Sequence, residues 1–248
     1  MCMDFSYLSI GRINFIRSVF RVILSDALDN ELVNKNPFDN IKKAKRKRGK
    51  NAEILPFSLD EINEILNNSE GQHKNILTTL FFSGMRTGEC WGLKWSDIDF
   101  ENNTIHIQRG IRHGKISSTK TISSNRIIEI LPIVKKALMR QKVFTLTNNS
   151  FVFLNQNKTY YSSATSIRNG HWKRTLKSCK LDYRVLYQTR HSFASLMISE
   201  GEDIVWVSKM LGHSSVKMTL DIYTKYIPSK RKERATFLNK SLLVKKLY

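Results

Sequence analysis

Cysteine, proline and acid are all scarce in this sequence. Its three cysteines, Cys2, Cys90 and Cys179, are odd in number and far apart. That excludes a disulfide framework and any zinc-ligand spacing, and it points to a reducing cytoplasm. Four prolines and 11 glycines exclude a collagen-like or proline-rich chain. No run approaches the roughly 18 apolar residues that cross a bilayer. The N-terminus, MCMDFSYLSIGR, lacks the basic-then-apolar layout of a signal peptide. The sequence has no phosphate-binding loop ending in Gly-Lys-Ser/Thr, no Gly-x-Ser-x-Gly elbow and no cluster of His, Cys and Asp at metal spacing. Neither a nucleotide, a metal nor another cofactor is therefore expected.

What is abundant is positive charge. Against 21 Asp+Glu stand 41 Lys+Arg, a formal net charge of +20 with a pI near 10.0, while a hydrophobic content of 41% is enough to bury a core. The excess is concentrated. Residues 42–50, KKAKRKRGK, carry seven basic groups and no acid, and residues 229–248 carry seven basic groups and one acid. Basic arms in mid-chain and at the end suit a polyanion, because each neutralised phosphate releases condensed counterions. Nucleic acid is the expected partner. A membrane surface is the rival, but neither run has a strong apolar face with aromatics.

Apolar spacing of three and four over residues 9–32 (Ile13, Ile16, Phe20, Ile23, Leu24, Ala27, Leu28) predicts a helix that cannot cover its own stripe, hence part of a bundle. Ser58-Leu59-Asp60-Glu61 is a capping-box pattern that opens another helix, and Asn75–Ser83 predicts a third, broken at Gly84. Thr104–Arg109, Ile116–Thr121 and Arg126–Ile130 read as strands with polar turns at His113-Gly114-Lys115 and Ser123-Ser124-Asn125. Pro132 opens a helix through about Arg140, and Phe151-Val152-Phe153 reads as one more short strand. Helices are expected over about 166–179, 189–200, 203–211 and 215–226. The fold class is mainly α with a small antiparallel β-sheet (α+β). The four tryptophans, Trp91, Trp95, Trp172 and Trp206, read as core or interface anchors.

Four segments carry the chemistry: Ser83-Gly84-Met85-Arg86-Thr87-Gly88-Glu89, Thr119-Lys120-Thr121, Tyr187-Gln188-Thr189-Arg190-His191, and Leu211-Gly212-His213 followed by Tyr223. The two arginines lie 104 residues apart, Arg190 and His213 are 23 apart, and His213 and Tyr223 are 10 apart. In this order and spacing the segments resemble the tyrosine recombinases, the phage integrase family, over about residues 55–228 and more weakly over 9–50. The resemblance implies a partial helical core-binding domain (1–41), a basic interdomain linker (42–55), a DNA breaking-rejoining catalytic domain (56–228) and a basic C-terminal tail (229–248). It also implies a site-specific recombinase or integrase of a phage or other mobile element. Such an enzyme cuts DNA through a 3′-phosphotyrosine intermediate, without metal or cofactor, and works as a tetramer on two double-stranded DNA sites. The sequence leaves open whether an accessory bending or directionality factor takes part.

The site roles follow from the same resemblance. Arg86 and Arg190 would clamp the non-bridging oxygens with planar, always-charged forks, and His213 would donate to the same phosphate. Lys120 would protonate the leaving oxygen. Tyr223 would be the nucleophile, preferred by its spacing over Tyr226. Glu89 and His191 would support, His191 by packing. Lys42, Lys43, Lys45, Arg46, Lys47, Arg48 and Lys50 would follow the DNA backbone. The family's second motif usually begins with His, and here Tyr187 stands at that place, which leaves the general base for Tyr223 unassigned. The resemblance implies that only the last helix or two of a core-binding domain stands ahead of the linker. The alternative is therefore a truncated integrase remnant or regulator that binds DNA without completing recombination.

Overall fold

The computed structural model describes residues 8–41, 44, 54–118, 125–146, 150–163 and 165–227. The chain divides into two compact units, residues 1–53 and 54–248.

The first unit is built on α1 (Ile10–Asp29), capped by Ser9, whose hydroxyl accepts from the Arg12 N–H. The following chain is tied back to it by side-chain amides. Asn36 donates to the Arg21 carbonyl at 3.0 Å, and Asn14 exchanges two 2.9 Å hydrogen bonds with the backbone of Ala44. Phe20 stacks on Phe38 with centroids 6.0 Å apart. No residue of α1 is buried, and Ile16, Phe20 and Ile23 of its stripe remain exposed. One helix and a loop supply too little surface to cover a full apolar face.

The second unit holds the core. Here α2 (Leu59–Asn67) begins at the predicted capping box, with Ser58 and Glu61 each accepting from the other's backbone N–H. It buries Ile62, Ile65 and Leu66. Next, α3 (Gly71–Ser83) starts earlier than its apolar pattern suggested and ends at Gly84 in the left-handed region. A short helix, α4 (Thr87–Gly92), follows Arg86. Strands β1 (Ile98–Asp99), β2 (Thr104–Ile107) and β5 (Arg126–Glu129) form an antiparallel sheet in the order β1-β2-β5. A separate hairpin pairs β3 (Arg109–Arg112) with β4 (Lys115–Ser118).

The described residues thus form two sheets rather than one. The expected strand Thr104–Arg109 is split at Gln108, because Gln108 and Arg109 both turn their side chains onto the buried Asp97 carboxylate. The turn at Ser123-Ser124-Asn125 and the end of the strand expected through Thr121 lie largely outside the described residues.

Beyond the sheets, α5 (Pro132–Thr145) runs a turn past Arg140. Phe151 makes only an isolated bridge to Lys94, so the strand expected at 151–153 is a single point of pairing. The helix expected over 166–179 is three pieces: α6 (Thr165–Ile167), a π-turn at Arg168–Trp172, and α7 (Lys173–Ser178). Helices α8 (Gln188–Ser199), α9 (Ile204–Leu211) and α10 (Val216–Tyr223) complete the unit. Chain 224–226 then tightens into a 3₁₀ turn, so the α-helix expected to reach 226 stops at Tyr223.

Trp91 and Trp172 are fully buried, whereas Trp95 and Trp206 pack on the edge of the core. Two contacts lock α8 and its approach onto the start of this unit. The Phe57 N–H donates to Ser192 at 2.8 Å, and Arg184 makes a two-pronged ion pair with Glu61. No described helix is long and apolar enough to cross a membrane.

Candidate active site

Two glycine turns and two helices deliver the site. The first is Gly84, the C-cap of α3 at φ +67°. Any side chain there would be strained, and a Cβ would lie 2.8 Å from the Phe193 ring. This turn reverses the chain directly into Arg86, which occupies the N-cap of α4. A second turn repeats the device. Gly212 caps α9 at φ +65°, and a Cβ there would sit 2.8 Å from the Arg126 side chain. His213 is thereby placed just beyond the helix end. Between these turns α8 carries Arg190 and His191 in its first turn, and beyond the second α10 ends on Tyr223.

Arg190 is 2% exposed, and its Nη1 donates to the Gly84 carbonyl at 2.6 Å. The second arginine therefore fastens the turn that presents the first. Burial lowers its pKa, and the charges of Arg86 and Arg126 act in the same direction, so all three guanidinium groups lie within each other's field. Glu89 sits among them, 6% exposed. It accepts from the Arg86 backbone N–H at 2.9 Å and from Arg86 Nη1 at 2.8 Å. It also receives both prongs of Arg126 at 3.1 and 2.9 Å. Burial pushes the Glu89 carboxyl up, but the hydrogen bonds and charge of Arg126, with those of Arg86, outweigh it and hold the group below its ordinary value. Among the described residues Glu89 is the carboxylate bonded to this cluster. One carboxylate against three guanidinium groups leaves two positive charges uncompensated in a partly buried cluster, a setting that favours an anion.

His213 is half-buried. Burial first, then the charges of Arg190, Arg86 and Arg126, push its pKa down to about 4, so its ring is neutral near pH 7. Its Nδ1 lies 2.8 Å from the hydroxyl of Thr219, which is completely buried. The hydroxyl hydrogen is best satisfied by donating to Nδ1, which leaves the ring proton on Nε2, free to point at an anion.

Tyr223 is 1% exposed. Its hydroxyl lies 2.7 Å from His191 Nδ1. Burial raises its pKa, although Arg190 pulls the other way. The phenol is therefore covered. Tyr226 lies alongside, ring centroids 6.4 Å apart. Tyr187, at the N-cap of α8, is 41% exposed and meets the edge of the His191 ring at 5.2 Å.

The structure therefore gathers Arg86, Glu89, Tyr187, Arg190, His191, His213 and Tyr223 in one region. Lys120 lies outside the described residues, as do Lys42, Lys43, Lys45, Arg46, Lys47, Arg48, Lys50 and the tail 229–248. Three features differ from or add to the sequence reading. His191, expected to pack, touches the Tyr223 hydroxyl. Arg126, at the start of β5, braces Glu89 and donates to the Met210 carbonyl at 3.1 Å. Thr219 orients His213; its position four residues before Tyr223 on one helix face was the available signal. Among the described residues no group of three or more His, Cys, Asp or Glu side chains could hold a metal ion.

Comparison with known proteins gives a consistent picture. Residues 53–229 match the model of the phage integrase family. The chain is 30% identical over 213 residues to a tyrosine recombinase XerC-like protein of Caldanaerobacter subterraneus subsp. tengcongensis, covering 75% of this chain and 54% of that protein. It is 29% identical over 243 residues to the ICEBs1 integrase of Bacillus subtilis, covering 94% of this chain and 66% of that protein. The chain thus spans about half to two thirds of the length of these curated relatives. Among solved structures, the Tn1549 transposon integrase in complex with circular intermediate DNA matches with a TM-score of 0.69 at 22% identity, covering 95% of this chain and 81% of that one. A lambda integrase tetramer bound to a Holliday junction matches with a TM-score of 0.58 at 17% identity, covering 82% and 58%.

Proposed function

The chain belongs to the phage integrase family, and from that premise we propose that it is a site-specific tyrosine recombinase that cuts and rejoins double-stranded DNA of a mobile element through a 3′-phosphotyrosine link. The observation that carries this reading is the cluster itself. Arg86, Arg190 and a neutral His213 share one electrostatic cluster, Arg190 also acts on Tyr223, and among the described residues Glu89 is the carboxylate bonded to the guanidinium groups.

A phosphodiester under attack gathers negative charge on its non-bridging oxygens. Arg86 and Arg190 hold those oxygens with charged N–H donors already fixed by Glu89 and by the Gly84 carbonyl. Removing one such preorganised donor typically costs about 3–4 kcal/mol of barrier. His213 adds a donor from Nε2. Tyr223 attacks phosphorus, and Lys120 supplies the proton to the departing 5′-oxygen. The phosphotyrosine bond conserves the energy that resealing needs. Tyr223 is buried, so its attack on phosphorus requires that DNA engagement expose it.

The basic run 42–50 and the tail 229–248 extend the grip along the backbone, and the reaction takes place on cytoplasmic DNA. Two rounds of cleavage exchange strands, which calls for a homo-oligomer on two sites. The DNA complexes and tetramer of the structural relatives support that assembly.

The test is a duplex nicked next to the cleavage position, so that the short fragment bearing the new 5′-hydroxyl diffuses away. Incubation with attachment-site sequences is expected to trap a covalent protein–DNA adduct that is absent in Tyr223→Phe. Binding without any adduct across such sequences would instead support the DNA-binding remnant.

A further inference from the structure

The hydroxyl of Tyr223 makes one described hydrogen bond, 2.7 Å to Nδ1 of His191. We propose that His191 is a catalytic residue, the general base that takes the Tyr223 proton during strand cleavage and returns it during resealing. This inference rests on the strand-cleaving reading above and supplies what that reading lacks.

Three observations support it. The distance is that of a formed hydrogen bond, within the reach a proton acceptor needs. Tyr187, at the place where a histidine could have acted, carries a phenol that is a weak base at neutral pH. It packs edge-on against the His191 ring one helical turn away and has no described bond to Tyr223. The His191 ring is also neutral near pH 7. Burial, then the adjacent Arg190 charge, push its pKa down to about 4. A neutral ring can accept the phenolic proton at Nδ1 and keep its own on Nε2. His213 does not compete for this role, since its Nδ1 is occupied by Thr219.

Burial is the larger cause of the low His191 basicity and the Arg190 charge the smaller. A scissile phosphate held by Arg190 offsets the second, so the base strengthens when substrate is present. The step then balances. The Tyr223 O–H bond breaks, and its proton passes to His191 Nδ1. The phenolic electron pair forms the O–P bond. The P–O5′ bond breaks, and the 5′-oxygen leaves with the proton from Lys120. Resealing runs the same transfers backwards, with the His191 imidazolium protonating the departing phenol.

The experiment follows adduct formation on the nicked duplex by the full chain with Tyr223 intact, then by His191→Ala and His191→Asn. The asparagine amide oxygen can still accept from Tyr223, so that variant keeps the local packing while lacking a titratable base. At pH 7 both variants are expected to form adduct roughly 10²-fold more slowly or worse, with duplex affinity unchanged. Their deficit is expected to shrink as pH rises toward phenol ionisation. Fluorotyrosine at position 223, a more acidic phenol, is expected to restore them more than it accelerates the chain with His191. Without DNA, the His191 ¹⁵N shifts are expected to show an acceptor Nδ1 whose signature is lost in Tyr223→Phe.

Wild-type rates in His191→Asn would overturn the assignment, and so would equal deficits at every pH with no preferential fluorotyrosine rescue. An absent adduct with His191 intact would overturn the strand-cleaving reading and the base role with it, while the ¹⁵N result would still report whether the hydrogen bond exists.

Discussion

Glu89→Gln removes one negative charge while keeping the shape of the side chain that three basic groups depend on. Glu89 accepts four hydrogen bonds from Arg86 and Arg126, and its surroundings also feel Arg190. The Arg126 side chain is 8% exposed and that of Glu89 6%, so solvent screens little. Breaking a buried pair by removing one partner typically costs about 3–5 kcal/mol, because the other charge stays buried and unpaired. For a domain of this size, 1 kcal/mol moves the unfolding midpoint by about 2–4 °C, which gives a fall of roughly 6–20 °C.

The assay is thermal unfolding followed by circular dichroism. A double variant, Glu89→Gln with Arg126→Met, is expected to recover much of the loss, since both charges are then gone. Acid provides a second check. The Glu89 carboxyl is held below its ordinary value of 4.5 in the folded chain. Its contribution is therefore complete above about 4.5 and is lost as pH falls through the lower folded value. The gap between the native chain and Glu89→Gln should narrow below that pH. A Glu89→Gln loss under 1 kcal/mol, or a double variant no better than the sum of the singles, would refute the claim that this carboxylate holds the cluster together.

Thr219→Val keeps the shape but leaves His213 Nδ1 unpaired, at a cost of about 1–3 kcal/mol in stability. Adduct formation is expected to fall with it, and Thr219→Ser should recover both. His171, whose Nε2 has no hydrogen-bond partner among the described residues, stacks on His73 at 3.9 Å. Burial, then the charges of His73 and Arg174, push its pKa down to about 4. The unfolded chain binds the proton from about 6.5 downward and the folded chain resists it, so stability should fall between about 6.5 and 4. His171→Phe, which retains the stacking, should lessen that slope in urea midpoints measured against pH, the remainder coming from His191 and His213. For the basic arms, contact with six or more phosphates predicts a loss of at least about 10³ in duplex affinity between 50 and 200 mM salt. Replacing the lysines and arginines of 42–50 by glutamine should flatten that dependence in a binding titration.

The sequence by itself determined the local structure and the cast of residues. Capping at Ser58, the stop at Gly84, the opening at Pro132 and the turns before Arg86 and His213 are backbone preferences, written in one or two side chains each and independent of distant partners. The motif order was legible for the same reason: arginine, histidine and tyrosine beside turn glycines are rare enough together to carry meaning. Non-local contacts stayed hidden. The split of one expected sheet into two depends on Asp97 drawing Gln108 and Arg109 toward it, and the strand at Phe151 fails for want of a long partner. Arg126 looked like an ordinary strand residue until β5 came to lie against Glu89 and Met210. His191 looked like packing until α10, 32 residues further on, laid the Tyr223 hydroxyl on its ring. A proton acceptor is defined by what lies within about 3 Å of it, and that distance exists only after the chain has closed on itself.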